Sequence, residues 1–313
     1  MTSAAVPIHH PVLCAEAVAA LAVVNTGRYV DATFGRGGHT AALLAVLGES
    51  AQLIALDRDP DAARWAAEHF VAESRLHFVH TPFSRLAEVV AEHVTSATVD
   101  GVLVDLGVSS PQLDDADRGF SFRNDGPLDM RMDSSSGVSA ADWLATVDET
   151  ELATVLRNYG EERFHRRIAR AIVQDRQHTP FTRTWQLAAL IERVVPTREP
   201  GQHPATRSFQ AIRIAINREL DELAAVLRQA VTVLRPGGRL VVISFHSLED
   251  RLVKRFFRDE MRGPDWPPDL PIPVQAVPTR LRVIGKPQRP SAAEAQRNPR
   301  ARSAVLRVAE RLP

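Results

Sequence analysis

Residues 31–40 read Asp-Ala-Thr-Phe-Gly-Arg-Gly-Gly-His-Thr, between an apolar lead-in (Tyr29, Val30) and an Ala/Leu-rich stretch from Thr40 to Leu47. Glycines between a strand and a helix let backbone approach a ligand where a Cβ would collide. Gly35, Gly37 and Gly38 are therefore the first candidates for holding a small molecule. A phosphate-cradling loop needs Lys and then Ser or Thr after its last glycine, and His39-Thr40 stands there instead. A dinucleotide fingerprint needs a third glycine at position 40, which is threonine. The remaining ligand is one with no phosphate to cradle.

Leu53-Ile-Ala-Leu56 is a short apolar run that ends in Asp57-Arg-Asp59-Pro60. An acidic residue about 20 positions past the glycines, at the end of the next strand, suits a grip on a ribose diol. A carboxylate only accepts, and a 2′,3′-diol offers two donors. Asp59, directly before Pro60, suits a helix cap, which leaves Asp57 for the diol. S-adenosylmethionine has an amino-acid end and a ribose but no phosphate, and fits both features. Gly101-Val-Leu-Val-Asp105 then breaks from an apolar strand into a polar, proline-locked turn, Ser109-Ser110-Pro111-Gln112. Parallel sheets carry their chemistry there, beyond the carboxyl ends of strands at a topological switch point. Pro111 predicts an extended Ser110, with its carbonyl or hydroxyl aimed at an amino group.

Ser110-Pro111-Gln112 is similar to the Ser/Asn/Asp-Pro-Pro-aromatic loop of amino-group methyltransferases. Phe34-Gly-Arg-Gly-Gly-His39, Asp105-Leu-Gly-Val-Ser-Ser-Pro-Gln-Leu-Asp114, Gly126-Pro-Leu-Asp-Met-Arg-Met132, His203-Pro-Ala-Thr-Arg207 and Ser244-Phe-His-Ser-Leu-Glu-Asp250 occur in that order. Together they resemble the bacterial small-subunit ribosomal RNA cytosine-N4 methyltransferases, over a span from His10 to Asn298-Pro-Arg-Ala-Arg-Ser303. The resemblance implies S-adenosylmethionine as cofactor and 16S rRNA as substrate, at a cytosine near the peptidyl site of the small ribosomal subunit. It implies cofactor contacts from Gly35, Gly37, Gly38, His39, Asp57, Phe83, Asp105 and Gln112, and catalytic roles for Asp105, Ser109, Ser110 and Pro111. Substrate contacts are expected from Asp129, Arg131, Arg166, Arg167, Arg207 and His246. Phe83 reads equally as an adenine platform or a core residue, and His39 as an orienting group rather than a general base. The rivals are a DNA amino-group methyltransferase, a nicotinamide oxidoreductase (disfavoured by Thr40), and an RNA-binding assembly factor without turnover.

The composition is that of an ordinary globular protein: 313 residues, 44% hydrophobic and 24% charged. No apolar run approaches the roughly 20 residues of a membrane span, so a cytoplasmic, membrane-free protein is expected, and a homodimer is among the assemblies the sequence permits. No metal site is expected. Cys14 is the single cysteine, in an apolar stretch. Methylation of cytosine at C5 would need a thiolate, and Cys14 lacks the Pro-Cys context for one. The zero net charge hides an asymmetry, for residues 1–135 hold 9 Arg/Lys against 18 Asp/Glu and the remainder 29 against 20. Only Lys254 and Lys286 of the 38 basic residues are lysine.

Strands predicted at 28–34, 52–57, 76–79 and 101–106 alternate with helical stretches at 40–47, 60–72 and 83–94. That alternation predicts an α/β fold with a doubly wound, mostly parallel sheet, a Rossmann-like methyltransferase fold. Residues 115–205 offer no apolar strand but helical runs at 140–147, 149–158, 163–177 and 185–195, and read as an inserted helical domain between 1–114 and 206–313. One long helix over 207–234, a strand at 239–245 and a closing antiparallel pair at 281–284 and 304–308 complete the main domain. Residues 264–278 read as an irregular connection.

Several polar sets have two readings. Leu128, Met130 and Met132 alternate with Asp129, Arg131 and Asp133, a period of two that predicts an extended segment; its charged face either meets solvent or lines the substrate cleft. Arg163, Arg166, Arg167 and Arg170 form a helix face that is either solvated or in contact with phosphate. Arg213 and Asn217 would bond the loop after Asp105 or lie on the helix surface. Ser247 and Asp250 read as a capping pair, and the arginines from 280 onward as RNA contacts or solubility features.

Overall fold

The computed structural model describes residues 11–197, 201, 203–262 and 279–313. The strands are β1 (Arg28–Asp31), β2 (Gln52–Asp57), β3 (Leu76–His80), β4 (Val99–Asp105), β5 (Leu234–Ser244), β6 (Leu281–Val283) and β7 (Val305–Arg311). They form one sheet in the order β3-β2-β1-β4-β5-β7-β6. Pairs among β1 to β5 are parallel, and β7 runs antiparallel to both β5 and β6. The expected mostly parallel α/β sheet and its closing antiparallel pair are thus present. From β1 the chain builds outward through β2 and β3, then returns to lay β4 on the other side of β1. The carboxyl ends of β1 and β4 therefore meet at the switch point, where a crevice for ligands opens in such sheets.

Alternate residues of each central strand feed opposite faces. Val30, Ile54, Val102 and Val242 join a core covered by α4 (Leu86–His93), α11 (Glu219–Val233) and α12 (Ser247–Arg262). Tyr29, Leu53, Leu103 and Val241 join the opposite core, under α1 (Cys14–Ala20) and α2 (Gly38–Leu44). With both faces covered, these strands are continuous apolar runs such as Leu53–Leu56 rather than alternating ones. Helix α3 (Pro60–His69) follows β2, and α13 (Ala292–Arg297) precedes β7.

The chain divides into two compact units, residues 1–107 with 220–313, and residues 108–219. The second unit contains α5 (Ser110–Asp114), α6 (Ala140–Thr146), α7 (Glu149–Gly160), α8 (His165–Asp175), α9 (Thr184–Val194) and α10 (Thr206–Asn217). The division thus falls outside the expected boundaries of 114/115 and 205/206. The reason is packing: Val108 and Leu113 at one end, and Phe209 and Ile212 at the other, are bound into the helical unit's own core with Leu152, Leu156 and Ile168. The expected single helix over 207–234 is two helices, broken at Arg218 in a left-handed conformation (φ 51°). Asn217, buried beside the break, donates to the Met130 carbonyl (2.7 Å) and the Arg213 carbonyl (2.9 Å) and accepts from the Met132 N–H (2.7 Å).

Those bonds also correct the reading of residues 126–132. Leu128 and Met130 are buried and Asp129 and Arg131 half-exposed, as the period of two predicted. Met130 nevertheless has φ 62°, so the segment is a kinked loop tied to Asn217 rather than an extended strand. In β5 the register with β4 jumps from Leu234 to Arg239, which places Pro236-Gly237-Gly238 in a bulge within a strand that starts earlier than 239. Residues 264–278 lie outside the described residues. By unit, the helical one carries 15 Arg/Lys against 16 Asp/Glu, so the basic excess does not belong to it. Among the described residues no helix is long and apolar enough to cross a membrane.

Replacing Asn217 with alanine would strand a buried N–H and carbonyls together. We expect a loss of roughly 1–3 kcal/mol, read as a lower urea midpoint at unchanged slope. A variant as stable as the parent would show that the break at Arg218 needs no such tie.

Candidate active site

Asp31 ends β1 with no exposure at all. One of its carboxylate oxygens accepts from the Thr33 N–H (3.1 Å) and the other from the Thr40 hydroxyl (2.7 Å). Thr33 passes the connection on, because its Oγ1 accepts the Asp105 N–H at 2.7 Å. Threonine at position 40, where a dinucleotide loop has glycine, therefore has a structural duty: it pins the first turn of α2 to the end of β1.

The glycines between them do two jobs. Gly35, at φ 55°, donates its N–H to Asp57 Oδ2 at 2.7 Å, and nothing lies within 4 Å of where its Cβ would be. Gly37, at φ 74°, leads into α2, and a Cβ there would sit 2.7 Å from the Phe70 ring. Asp57 accepts a second N–H, from Asp59 (2.9 Å), while Asp59 caps α3 through the Asp61 N–H (2.9 Å). Asp59 is thus the expected helix cap. Burial drives the Asp57 carboxyl up to about 6, against the two N–H donors that favour its charged form.

His39 is buried at 4% exposure, with Nε2 3.3 Å from Asp105 Oδ2. The contact lacks the alignment of a hydrogen bond, so we treat it as an ion pair. Burial alone would lower the His39 pKa. The Asp105 carboxylate, the Cys14 thiol and the Asp31 charge outweigh it and raise the ring to about 10. Asp31 is itself pushed up by burial and drawn back by the His39 charge. The Asp105 and Asp31 carboxylates thus favour the charged ring, in keeping with a group that orients rather than abstracts a proton. Asp105 Oδ1 is buried and has no hydrogen-bond partner among the described residues.

Gly35, Gly37, Gly38, His39, Asp57 and Asp105 are accordingly brought together around the ends of β1, β2 and β4. Phe83 is half-buried and packs in part against the core under α4. His246 follows β5, with Nε2 3.2 Å from Glu249 Oε1. Glu249, not Asp250, accepts the Phe245 and His246 N–H groups at the start of α12 (2.8 and 3.2 Å); Asp250 is held by Arg307 (2.8 and 3.0 Å).

The remaining predicted residues belong to the helical unit. Ser109, not Ser110, is the extended residue (ψ 154°), and it caps α5. Its hydroxyl accepts from the Gln112 N–H while Gln112 Oε1 accepts the Ser109 N–H at 2.8 Å, so Ser110 and Pro111 sit in the helix's first turn. The Gln112 side chain serves that cap. The capping box overrides the extended bias that Pro111 puts on its predecessor. Asp129 and Arg131 grip each other at 2.8 and 2.7 Å, and the Arg131 guanidinium holds the Asp129 carboxyl below its ordinary range despite burial. Arg166 and Arg167 are exposed on α8, whereas Arg170 faces Glu149 at 3.5 Å. Arg207 donates to the Glu161 carbonyl. Asp31, Thr33 and Thr40 were missed by sequence reasoning, although a carboxylate directly after Tyr29-Val30 is a polar residue in an apolar strand and could have flagged the site.

The family model described as the MraW methylase family matches residues 7–312. A protein of Thiobacillus denitrificans named ribosomal RNA small subunit methyltransferase H is 61% identical over 307 residues, covering 98% of each chain. Proteins of the same name from Azoarcus sp. (59% identical, 97% of this chain and 96% of that one) and Thioalkalivibrio sulfidiphilus (56%, 100% of both) are also similar.

The imidazolium is open to direct test. Its pairing stabilises the fold in full below pH 6.5, and that contribution is lost as pH rises through about 10. The parent's advantage over His39→Gln should therefore stay constant below 6.5 and shrink above it. Histidine-ring NMR should show one resonance, absent from the variant, still protonated well above 6.5. A ring that titrates at the ordinary value would refute the pairing.

Proposed function

The chain belongs to the MraW methylase family, and from that premise we propose that it transfers the methyl group of S-adenosylmethionine to the exocyclic N4 of a cytosine in 16S rRNA. The target would lie near the peptidyl site and be met on the small subunit, in the cytoplasm. The observation that carries the reading is the acceptor set at the ends of β1, β2 and β4. Asp57 uses one acceptor site on each oxygen for Gly35 and Asp59, and a carboxylate oxygen can take a second donor, so a ribose diol fits. The unpartnered Asp105 Oδ1 fits an ammonium, and the space beside Gly35 admits the ligand's backbone.

Bound there, the cofactor supplies a methyl group on a cationic sulfur. This chain's residues must position it and prepare the amine. The N4 lone pair of cytosine is delocalised into the ring, so acceptors around its hydrogens help by favouring a pyramidal nitrogen. Ser109, Ser110 and Pro111 follow Asp105 within six residues of chain. With Ser110 inside α5, its carbonyl is directed along the helix, which leaves the hydroxyl as the acceptor for an amino hydrogen. Most of the acceleration comes from in-line placement, and solvent takes the proton afterwards. The base must leave its stack to reach such a site. Asp129, Arg131, Arg207 and His246 remain candidates to hold the RNA, with exposed Arg166 and Arg167 suited to phosphate.

Two measurements test the assignment. Calorimetry should find S-adenosylmethionine binding weakened by roughly 1–3 kcal/mol in Asp57→Ala. In the parent, affinity should rise as pH passes about 6 and the carboxyl ionises, a rise absent from Asp57→Asn. The same burial removes apoprotein stability over that interval, since a raised carboxyl favours the protonated fold. Equal affinities in a folded variant would remove Asp57 from the diol.

Nucleoside chromatography after reaction should show N4-methylcytidine, with near-parent turnover in Cys14→Ala. A C5-methylated product would overturn N4 chemistry. Transfer to DNA but not RNA would favour the DNA rival, and RNA binding without product the assembly-factor rival.

A further inference from the structure

The charge asymmetry of this chain lies inside the sheet-bearing unit. Residues 1–107, which build β1 to β4, hold 6 Arg/Lys against 12 Asp/Glu, and residues 220–313, which build β5 to β7, hold 17 against 10. Asp31, Asp57 and Asp105 all stand on the acidic side. Such a site repels phosphodiesters, so a polyanionic substrate has to be held by cations elsewhere.

On the basic side a cavity of about 210 Å³ opens between α12 and the β6–β7 edge. Phe257 and Ile284 floor it, and Lys254, Lys286, Arg258 and Arg307 rim it. Met261 (39% exposed) and Val283 (37%) leave apolar surface at its mouth. The two arginines are committed to carboxylates, Arg258 to Asp259 at 2.9 Å and Arg307 to Asp250 at 2.8 Å. Lys254 and Lys286 have no carboxylate within ion-pair distance among the described residues. They are also the only lysines in the chain, so both lysine ammonium groups, without a carboxylate partner among the described residues, line one groove.

We propose that this groove holds a single-stranded segment of the substrate RNA, with Lys254 and Lys286 on its phosphates and the apolar mouth against a base. The proposal rests on RNA being the substrate. A compact ammonium suits a phosphate as a point charge, and an apolar surface between cations suits a nucleobase. A protein adding a strand to the sheet edge fits less well. β6 is three residues long and Pro287 follows it closely, so few main-chain groups are left to pair.

Because no other lysine exists, amine acetylation read by mass spectrometry reports on this groove alone, apart from the N-terminus. In the free protein both lysines should acetylate readily, and deproteinised 16S rRNA should protect them. Lys254→Gln with Lys286→Gln should lower the slope of log affinity against log salt by about 1.4, from about 0.7 per single-strand phosphate contact. The doubly Arg-substituted protein should keep the parent's slope, and S-adenosylmethionine affinity should not move. A parent slope in the Gln variant together with unprotected lysines would overturn the groove and leave the RNA reading standing. Slow acetylation of the free protein, or protection by small-subunit proteins but not by RNA, would also overturn it. No salt-dependent RNA binding by the parent would sink both.

Discussion

Two carboxylates at neighbouring strand ends repel each other, and burial makes the repulsion costly. Asp31 and Asp105 coexist at the switch point because the His39 ring lies against Asp105 and its charge also favours the ionised Asp31, and because Thr33 and Thr40 each donate to one oxygen of Asp31. The rest of the unit follows from that arrangement. Thr33 ties the loop to β4 and Thr40 ties α2 to β1. The glycines between them turn the chain tightly enough for the Gly35 N–H to reach Asp57. At the centre Asp105 Oδ1 is a buried acceptor that no donor reaches among the described residues.

The helical unit solves a different problem. Its core is assembled from α5 to α10, and its irregular 126–132 segment has no sheet to satisfy its backbone. Asn217 takes that duty by bonding Met130 and Met132, and in doing so it ends α10. Gln112 is used in the same economical way, its Oε1 capping α5 through the Ser109 N–H. Polar side chains inside this unit are mostly bound to local backbone, and the groups free to meet a partner are exposed arginines such as Arg166 and Arg167.

Charge is distributed according to the same logic. The strands that build the acceptor site are flanked by acidic sequence, while the later strands and α12 carry the basic excess. A cationic cofactor and a polyanionic substrate favour opposite potentials, and one sheet provides both at different places along its width.

Much of this was present in residue order alone. Apolar runs of strand length, glycines at 35, 37 and 38, aspartates at strand ends and the Asp59-Pro60 cap are local signals, and local physics acts on them directly. So the parallel sheet, the helical insert and the Asp57 and Asp105 positions were legible, as was the period-two burial of Leu128 and Met130. Other outcomes depended on partners distant in sequence. Nothing near Asn217 announces that it will bond residues 130 and 132, so neither the helix break nor the wider helical unit could be read. Nothing near Phe83 in sequence tells that its ring packs partly against the core under α4. Ser110 was assigned an extended backbone on its proline alone, whereas the capping box of Ser109 and Gln112 decided otherwise. Sequence determined which chemical groups stand at the strand ends, since strand and turn preferences act within a few residues. Only the tertiary structure decided their charge states and partners, because burial and long-range contact set the dielectric and the neighbours that each group meets.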